Sequence, residues 1–298
     1  MPDHPPAQRP PDARVHRQPG DGWVDCGCGG RHWGLNGAAG LMLWRDGGAG
    51  LEVVLQHRAL WSHHGGTWGL PGGAITDAEG PRAGAVREAV EEAGLDAGGI
   101  RVRAQRSLVH RDWSYTTVLA EAVGPQEPSV SDPESLDVAW VPLADLKSRE
   151  LLPAFGDALP ELRTMLRRLV LVVDAANVVG SRPDGWWTDR AGATTALRDH
   201  LGRIADAGLA GSDVDLAGDR WYPEMLLVTE GAARGVPGTD AVAVVEAAGS
   251  GDDAVVAEVR RLVADPANDV AVTSADRGLT ERVRALGART LGPRLVRH

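Results

Sequence analysis

Residues 73–95 read GAITDAEGPRAGAVREAVEEAGL, and the rest of the chain is best read outward from them. Pro81 suits a first helical turn and Gly94 suits the residue just past a helix end, so the spacing predicts a helix over 81–93. On that helix Glu88, Glu91 and Glu92 stand at i, i+3 and i+4, which places their carboxylates on one face within a single turn. Left alone they repel one another. A divalent cation reverses the sign, and Mg²⁺ is favoured because it takes oxygen ligands and bridges carboxylates to substrate phosphates. Glu79, on the preceding loop, is placed to return to the cluster, and Arg87 to orient a carboxylate by a forked hydrogen bond. The plain alternative is a solvated acidic helix face.

Strands are expected at 40–44 (GLMLW) and 51–56 (LEVVLQ), followed by a Gly-rich turn at 63–73 (HHGGTWGLPGG). Further strands fit 102–109, 116–121 and 138–141. A closing helix is expected between 143 and 168, interrupted near Pro153 and Pro160. The segment 73–95 resembles the Nudix box, G-x5-E-x7-R-E-U-x-E-E-x-G-U with U apolar. Gly73, Glu79, Arg87, Glu88, Glu91, Glu92, Gly94 and Leu95 match it, with Ala89 in the first apolar slot. The resemblance extends over about residues 20–165.

What the resemblance implies is an α/β/α sandwich with a mixed sheet that hydrolyses a nucleoside diphosphate linked to another group X. Glu88, Glu91 and Glu92 would hold Mg²⁺ or Mn²⁺, with Glu91 or Glu92 also polarising the attacking water. Glu79 would be an outer carboxylate and Arg87 its partner. A further carboxylate from outside the box is expected from Glu134, or failing that Asp137. Arg58, Trp68, Gly72 and Gly73 are the expected substrate contacts, and Trp61 is a second stacking candidate. Oxidised or ordinary nucleoside triphosphates are the expected substrates, with dinucleotide polyphosphates, ADP-ribose or NADH as the alternative. Trp113 and Tyr115 lie near, but not at, the spacing where dinucleotide polyphosphate hydrolases carry a tyrosine.

From residue 169 short all-apolar runs (169–173, 225–228, 241–245, 270–272) alternate with helical stretches near 189–207, 252–263 and 279–286. That pattern predicts a Rossmann-like parallel sheet with both faces covered. Asp174 ends the first run, Asp252 and Asp253 open a helix, and Asp276 follows the last run, all where parallel α/β sheets bind ligands. The motifs DAAN, GDD and TSADR resemble the NYN branch of the PIN-like nucleases. The resemblance implies Mg²⁺ or Mn²⁺ held by Asp174, Asp252 or Asp253, and Asp276, with Asn177 in support. Cleavage of RNA, or a non-catalytic module that binds RNA or nucleotide, would follow. Six arginines between Arg277 and Arg297 favour nucleic-acid contact.

The boundaries expected are a disordered Pro-rich tail at 1–19, a Nudix domain at 20–167 and a PIN-like domain at 168–298. Cutting after residue 168 leaves 17 basic and 22 acidic residues before it and 14 and 19 after, so both halves are acidic, which argues against a general nucleic-acid-coating protein. One Lys, Lys147, stands against 30 Arg, a bias read as GC-rich coding. Only Cys26 and Cys28 are present, which rules out a disulfide framework and fits a reducing cytoplasm. No apolar run is long enough to span a membrane. With His32 the two cysteines offer three zinc-type ligands, but the second Cys pair is missing, so a reduced β-hairpin is expected. His63 and His64 lie in the Gly-rich turn, within reach of a phosphate. The oligomeric state is left open.

Overall fold

A computed structural model describes residues 18–181 and 186–297. They form two compact units, one ending at Leu166 and one beginning at Arg167. Residues 1–17 of the expected tail lie outside the described residues. Its last residues do not behave as tail: the Gln18 backbone N–H donates to the Asp21 carboxylate at 2.9 Å.

In the first unit, β1 (Trp23–Asp25) and β2 (Arg31–Trp33) form an antiparallel hairpin. The main sheet is built on β3 (Ala38–Asp46), which pairs in parallel with β8 (Ser114–Ala122) over most of its length. One end of β3 pairs antiparallel with β4 (Leu51–Arg58), the other with β6 (Gly72–Ala74). β4 also pairs antiparallel with β5 (Trp68–Gly69) and β9 (Ser135–Pro142), and β7 (Ile100–Val109) with β8. The sheet is therefore mixed, as expected. β5 and β6 lie inside the stretch expected to be a turn, where two- and three-residue strands rich in glycine leave no period-2 signal.

Helix α1 (Pro81–Ala93) has the expected ends. Pro81 opens it, and Gly94 closes it at φ 63°, a left-handed conformation that glycine adopts without strain, its N–H donating to the Val90 carbonyl. The buried face of α1 is Gly84, Ala85, Ala89 and Ala93. These small residues let the backbone come down on Leu41, Leu43, Val54, Val118 and Ala120 of the sheet. Ala89, the short residue in the apolar slot, is completely buried. The closing segment differs from expectation: a single 3₁₀ turn spans Asp145–Ser148, and α2 (Pro153–Thr164) starts at Pro153 and runs through Pro160. Pro153 sits where a helix needs no N–H, so it initiates rather than interrupts.

The second unit contains a five-stranded sheet, all parallel, in the order β14-β13-β10-β15-β16. Its strands are β10 (Arg168–Asp174), β13 (Glu224–Thr229), β14 (Val242–Glu246), β15 (Asn268–Thr273) and β16 (Arg289–Leu291). β11 (Leu209–Ala210) and β12 (Arg220–Trp221) form a short antiparallel pair outside it. The helices are α3 (Ala175–Gly180), α4 (Arg190–Ala207), α5 (Gly251–Leu262) and α6 (Arg277–Arg284). Val255, Val259, Leu279 and Val283 of α5 and α6 pack on Val170, Val172, Val228 and Val272. Residues of opposite parity, Leu171, Val173, Leu227 and Ala271, are buried too, which explains why these strands read as unbroken apolar runs. β16 escaped the sequence reading because it is a three-residue edge strand of half-buried side chains.

Candidate active site

Arg87 is the hub of the α1 carboxylates. Its guanidinium donates to Glu79 at 2.7 Å, to Glu88 at 2.8 Å, to Glu91 at 3.1 Å and to the Ala74 carbonyl at 3.0 Å. Sequence reasoning gave it one carboxylate; it holds three. Glu79 pairs with Arg87 and accepts the Thr76 backbone N–H at 3.0 Å, and chiefly the Arg87 contact holds its carboxyl below the usual range. Glu79 thus orients Arg87. Glu91 is exposed and also accepts from the Gln18 side chain at 3.1 Å.

Glu88 and Glu92 are different. Burial, opposed by Arg87, pushes the Glu88 carboxyl up to about 7. Burial together with the neighbouring Glu88 charge pushes Glu92 to about 8. Arg87 does not reach Glu92, whose Oε2 accepts the Gly72 backbone N–H at 2.8 Å. Two carboxylates crowded in low dielectric, with too little positive charge between them, form an oxygen donor set that a divalent cation would satisfy.

The two glycines named as substrate contacts lie against these carboxylates, Gly72 donating its N–H to Glu92. A Cβ on Gly73 would stand 2.6 Å from Glu88 Oε1, and one on Gly72 would stand 2.4 Å from the Ala39 carbonyl oxygen of the adjacent strand. Arg58 lies where its charge acts on Glu92, and its Nε donates to the His63 carbonyl at 3.1 Å. Glu134 also acts on Glu92 through its charge, whereas Asp137 is exposed on β9 opposite His57. Trp68 is buried, with His57 stacked on it at 4.7 Å and the Arg149 guanidinium over its ring at 4.1 Å. It is packed rather than presented to a base. Tyr115, which sequence reasoning set aside, stands where burial and the charges of Glu92 and Glu88 push its phenol up, against Arg58.

The NUDIX domain family model matches residues 34–162. The chain is 44% identical, over 55% of its length and 76% of the relative's, to the Mycobacterium tuberculosis (strain ATCC 25618 / H37Rv) protein named "Putative 8-oxo-dGTP diphosphatase 3". The chain belongs to the Nudix family. It is also 48% identical over 165 residues to a "Nucleoside triphosphate pyrophosphatase/Nudix hydrolase fusion protein" of Bifidobacterium longum, of whose length it spans about a third (34%). Among solved structures, the Nudix hydrolase RenU of M. smegmatis is 42% identical over 48% of this chain and 93% of that one, with a TM-score of 0.45.

The Nudix match ends before the second unit, which has an acidic edge of its own. Asp174, at the end of β10, accepts the Asn177 backbone N–H at 3.1 Å and the Ser274 hydroxyl at 3.1 Å. Burial raises its carboxyl, with Asp252 and Glu230 adding to the effect. Asp252 is raised by burial and then by Asp276. At the C-terminal edge of the sheet Asp252 thus lies within the electrostatic reach of both Asp174 and Asp276. Glu230, following β13, joins them; the position was legible as a strand end, but VTEGAAR reads as plain loop. Asp276 also caps α6 through the Leu279 N–H at 2.8 Å. Asp253 turns away to pair with Arg282 at 2.6 Å, so of the GDD pair Asp252 is the member that faces the cluster. Asn177 accepts the Ala275 N–H at 2.8 Å and so braces the loop carrying Asp276. The C-terminal arginines are largely engaged within the unit: Arg284 with Thr290, Arg289 with Asp269 and Arg297 with Ser181. That weakens their case as a nucleic-acid surface. Among the described residues no helix is long and apolar enough to cross a membrane.

Proposed function

We propose that the chain is a Mg²⁺-dependent pyrophosphohydrolase acting on nucleoside triphosphates, oxidised purine nucleotides included. The observation that carries this reading is the half-buried Glu88–Glu92 pair, whose carboxyls are both pushed up, with Arg87 donating to Glu88 alone of the two. Mn²⁺ has the same oxygen preference and is expected to substitute. In hydrolysis the water oxygen attacks a phosphorus, its proton passes to a carboxylate, and the bridging oxygen leaves with the other product. Glu92, in its ionised form, is the residue suited to take that proton, because the Gly72 N–H fixes the orientation of its carboxylate. Arg87 keeps Glu88 and Glu91 aligned, Glu134 adds negative charge at Glu92, and Arg58 brings a positive charge for the phosphates. A bound divalent cation supplies charge neutralisation on the phosphates and a more acidic water.

The substrate class rests on the names of the relatives and on a site with Arg58 and Tyr115 beside the carboxylates. It is tested with a Mg²⁺ panel of ordinary and oxidised nucleoside triphosphates, dinucleotide polyphosphates, ADP-ribose and NADH. Triphosphates are expected to be cleaved at least about tenfold faster than the others. Pyrophosphate against phosphate among the products identifies the scissile phosphorus. Turnover confined to ADP-ribose, NADH or dinucleotides would replace the reading with its alternative. The two cysteines are free, which suits the cytoplasm where such nucleotides are found.

For the second unit, the acidic residues Asp174, Glu230, Asp252 and Asp276 at the strand ends, whose charges in part raise the carboxyls of Asp174 and Asp252, support the reading of a PIN-like, metal-dependent ribonuclease. An Asp174→Asn variant of the full chain is expected to lose Mn²⁺-dependent RNA cleavage while retaining RNA binding. A wild type that binds RNA but never cleaves it would make the unit a binding module.

A further inference from the structure

Outside the carboxylate site, three soft or borderline ligands converge in the β1–β2 hairpin. Its loop, CGCGGRH over 26–32, closes through the Cys26 N–H to the Gly30 carbonyl at 3.0 Å and the Gly29 N–H to the Cys26 carbonyl at 2.9 Å. Gly29 lies at φ 89°, and this left-handed residue turns the chain tightly enough to carry Cys28 back over β2. There the Cys28 sulfur lies 3.2 Å from His32 Nε2. The ligand atoms of Cys26, Cys28 and His32 all fall within 4.8 Å of one another. In a tetrahedral zinc site with Zn–S about 2.3 Å and Zn–N about 2.0 Å, sulfur and nitrogen ligands stand roughly 3.5 Å apart. The hairpin already holds its ligands near that spacing.

The surroundings fix the ligands from a second direction. The His32 ring stacks on Trp113 with centroids 4.4 Å apart and planes at 12°, and the His110 ring is 4.4 Å away on a tilted plane. Gly27 donates its N–H to Asp112 at 2.7 Å, which ties the cysteine loop to the β7–β8 turn. Two cysteines of opposite exposure, Cys26 buried and Cys28 exposed, remain unpaired although they sit one residue apart.

We propose that Cys26, Cys28 and His32 form a zinc site that staples the hairpin, with the His110 and Trp113 rings packed against the His32 imidazole. Thiolates and imidazole select Zn²⁺ over Mg²⁺, whereas the all-oxygen set on α1 prefers Mg²⁺, so each site keeps its own metal. The sequence expectation of a bare hairpin counted these three ligands without their geometry; strand pairing sets His32, on β2, opposite Val24, from where its ring meets the Cys28 sulfur.

The test uses the untagged full-length chain in excess Mg²⁺. Metal analysis after gel filtration is expected to give one zinc per chain, and Co²⁺ replacement to give thiolate-to-metal charge transfer with the visible bands of a tetrahedral ion. Cys28→Ser and His32→Ala are each expected to lose the bound metal. The wild type alone also decides the matter, since zinc is expected to slow thiol labelling of the reduced protein at least tenfold. No retained zinc, no cobalt–thiolate band and unchanged labelling would overturn the site, as would a Cys26–Cys28 disulfide persisting in reductant.

Discussion

Glu92→Gln is expected to lower Mg²⁺-dependent hydrolysis by about 10²–10⁴-fold, the range a positioned acid–base group contributes, while leaving the fold intact or more stable. Glutamine has the same shape, and its amide oxygen can still accept the Gly72 N–H that Glu92 Oε2 now holds at 2.8 Å. What it removes is an acid that the fold holds protonated up to about 8 while the unfolded chain ionises it near 4.5, so metal-free melting at neutral pH should rise. Steady-state kinetics and a melting curve on one preparation check both halves. A variant that melts well below wild type would make Glu92 a structural acid, and one that keeps wild-type kcat would remove it from the reaction. Glu79→Gln offers the contrast. It takes away the strongest partner of Arg87, so it should lower stability and loosen Glu88 and Glu91 together.

The parts of this site that a single turn of helix determines were legible in the sequence. Glu88, Glu91 and Glu92 needed only the 3.6-residue period, and Gly94 only its place after the last apolar residue. Residues brought in by strand register were not. Tyr115 comes within reach of the carboxylates' charge where Gly40, two places from its β3 partner Ala38, leaves room for its hydroxyl; a Cβ there would meet the phenol oxygen at 2.0 Å. A glycine inside an apolar strand signals such a close approach, but it does not say what approaches. Gln18 was hidden for the opposite reason, since a Pro-rich stretch gives no periodic sign that its last residues return to Glu91. Trp68 misled because an aromatic in a Gly-rich turn suggests exposure, whereas β5 pairs with β4 and closes His57 over the ring. In the second unit the strand ends were readable, yet choosing between Asp252 and Asp253 required knowing where Arg282 of α6 falls.

The raised carboxyls of Glu88 and Glu92 tie stability to pH in a direction opposite to that of an ordinary salt-bridged acid. Their unfolded reference is 4.5, and in the fold they stand at about 7 and about 8. Between these values the unfolded chain has released protons that the folded chain retains, so folding stability is full below about 4.5 and falls as pH rises through 7 and 8. Glu79 has the reverse sign: its carboxyl is held low by Arg87, and its contribution is lost only as pH drops below the usual carboxylate range. Metal-free protein should therefore melt highest near pH 5 and lower toward pH 8.5, by roughly 5–10 °C if the two acids together are worth a few kcal/mol. Saturating Mg²⁺ should flatten that slope, because cation and proton compete for the same oxygens and stabilisation by the cation grows as the protons leave. The Glu88→Gln, Glu92→Gln double variant isolates the effect from every other titrating group. Its melting temperature relative to wild type should climb from near zero at pH 5 to several degrees at pH 8.5 without metal, and vanish or invert with Mg²⁺. A difference that stays flat with pH would mean that the two carboxyls are already ionised and satisfied in the fold, and would leave the site with no affinity for a cation beyond that of an exposed acidic face.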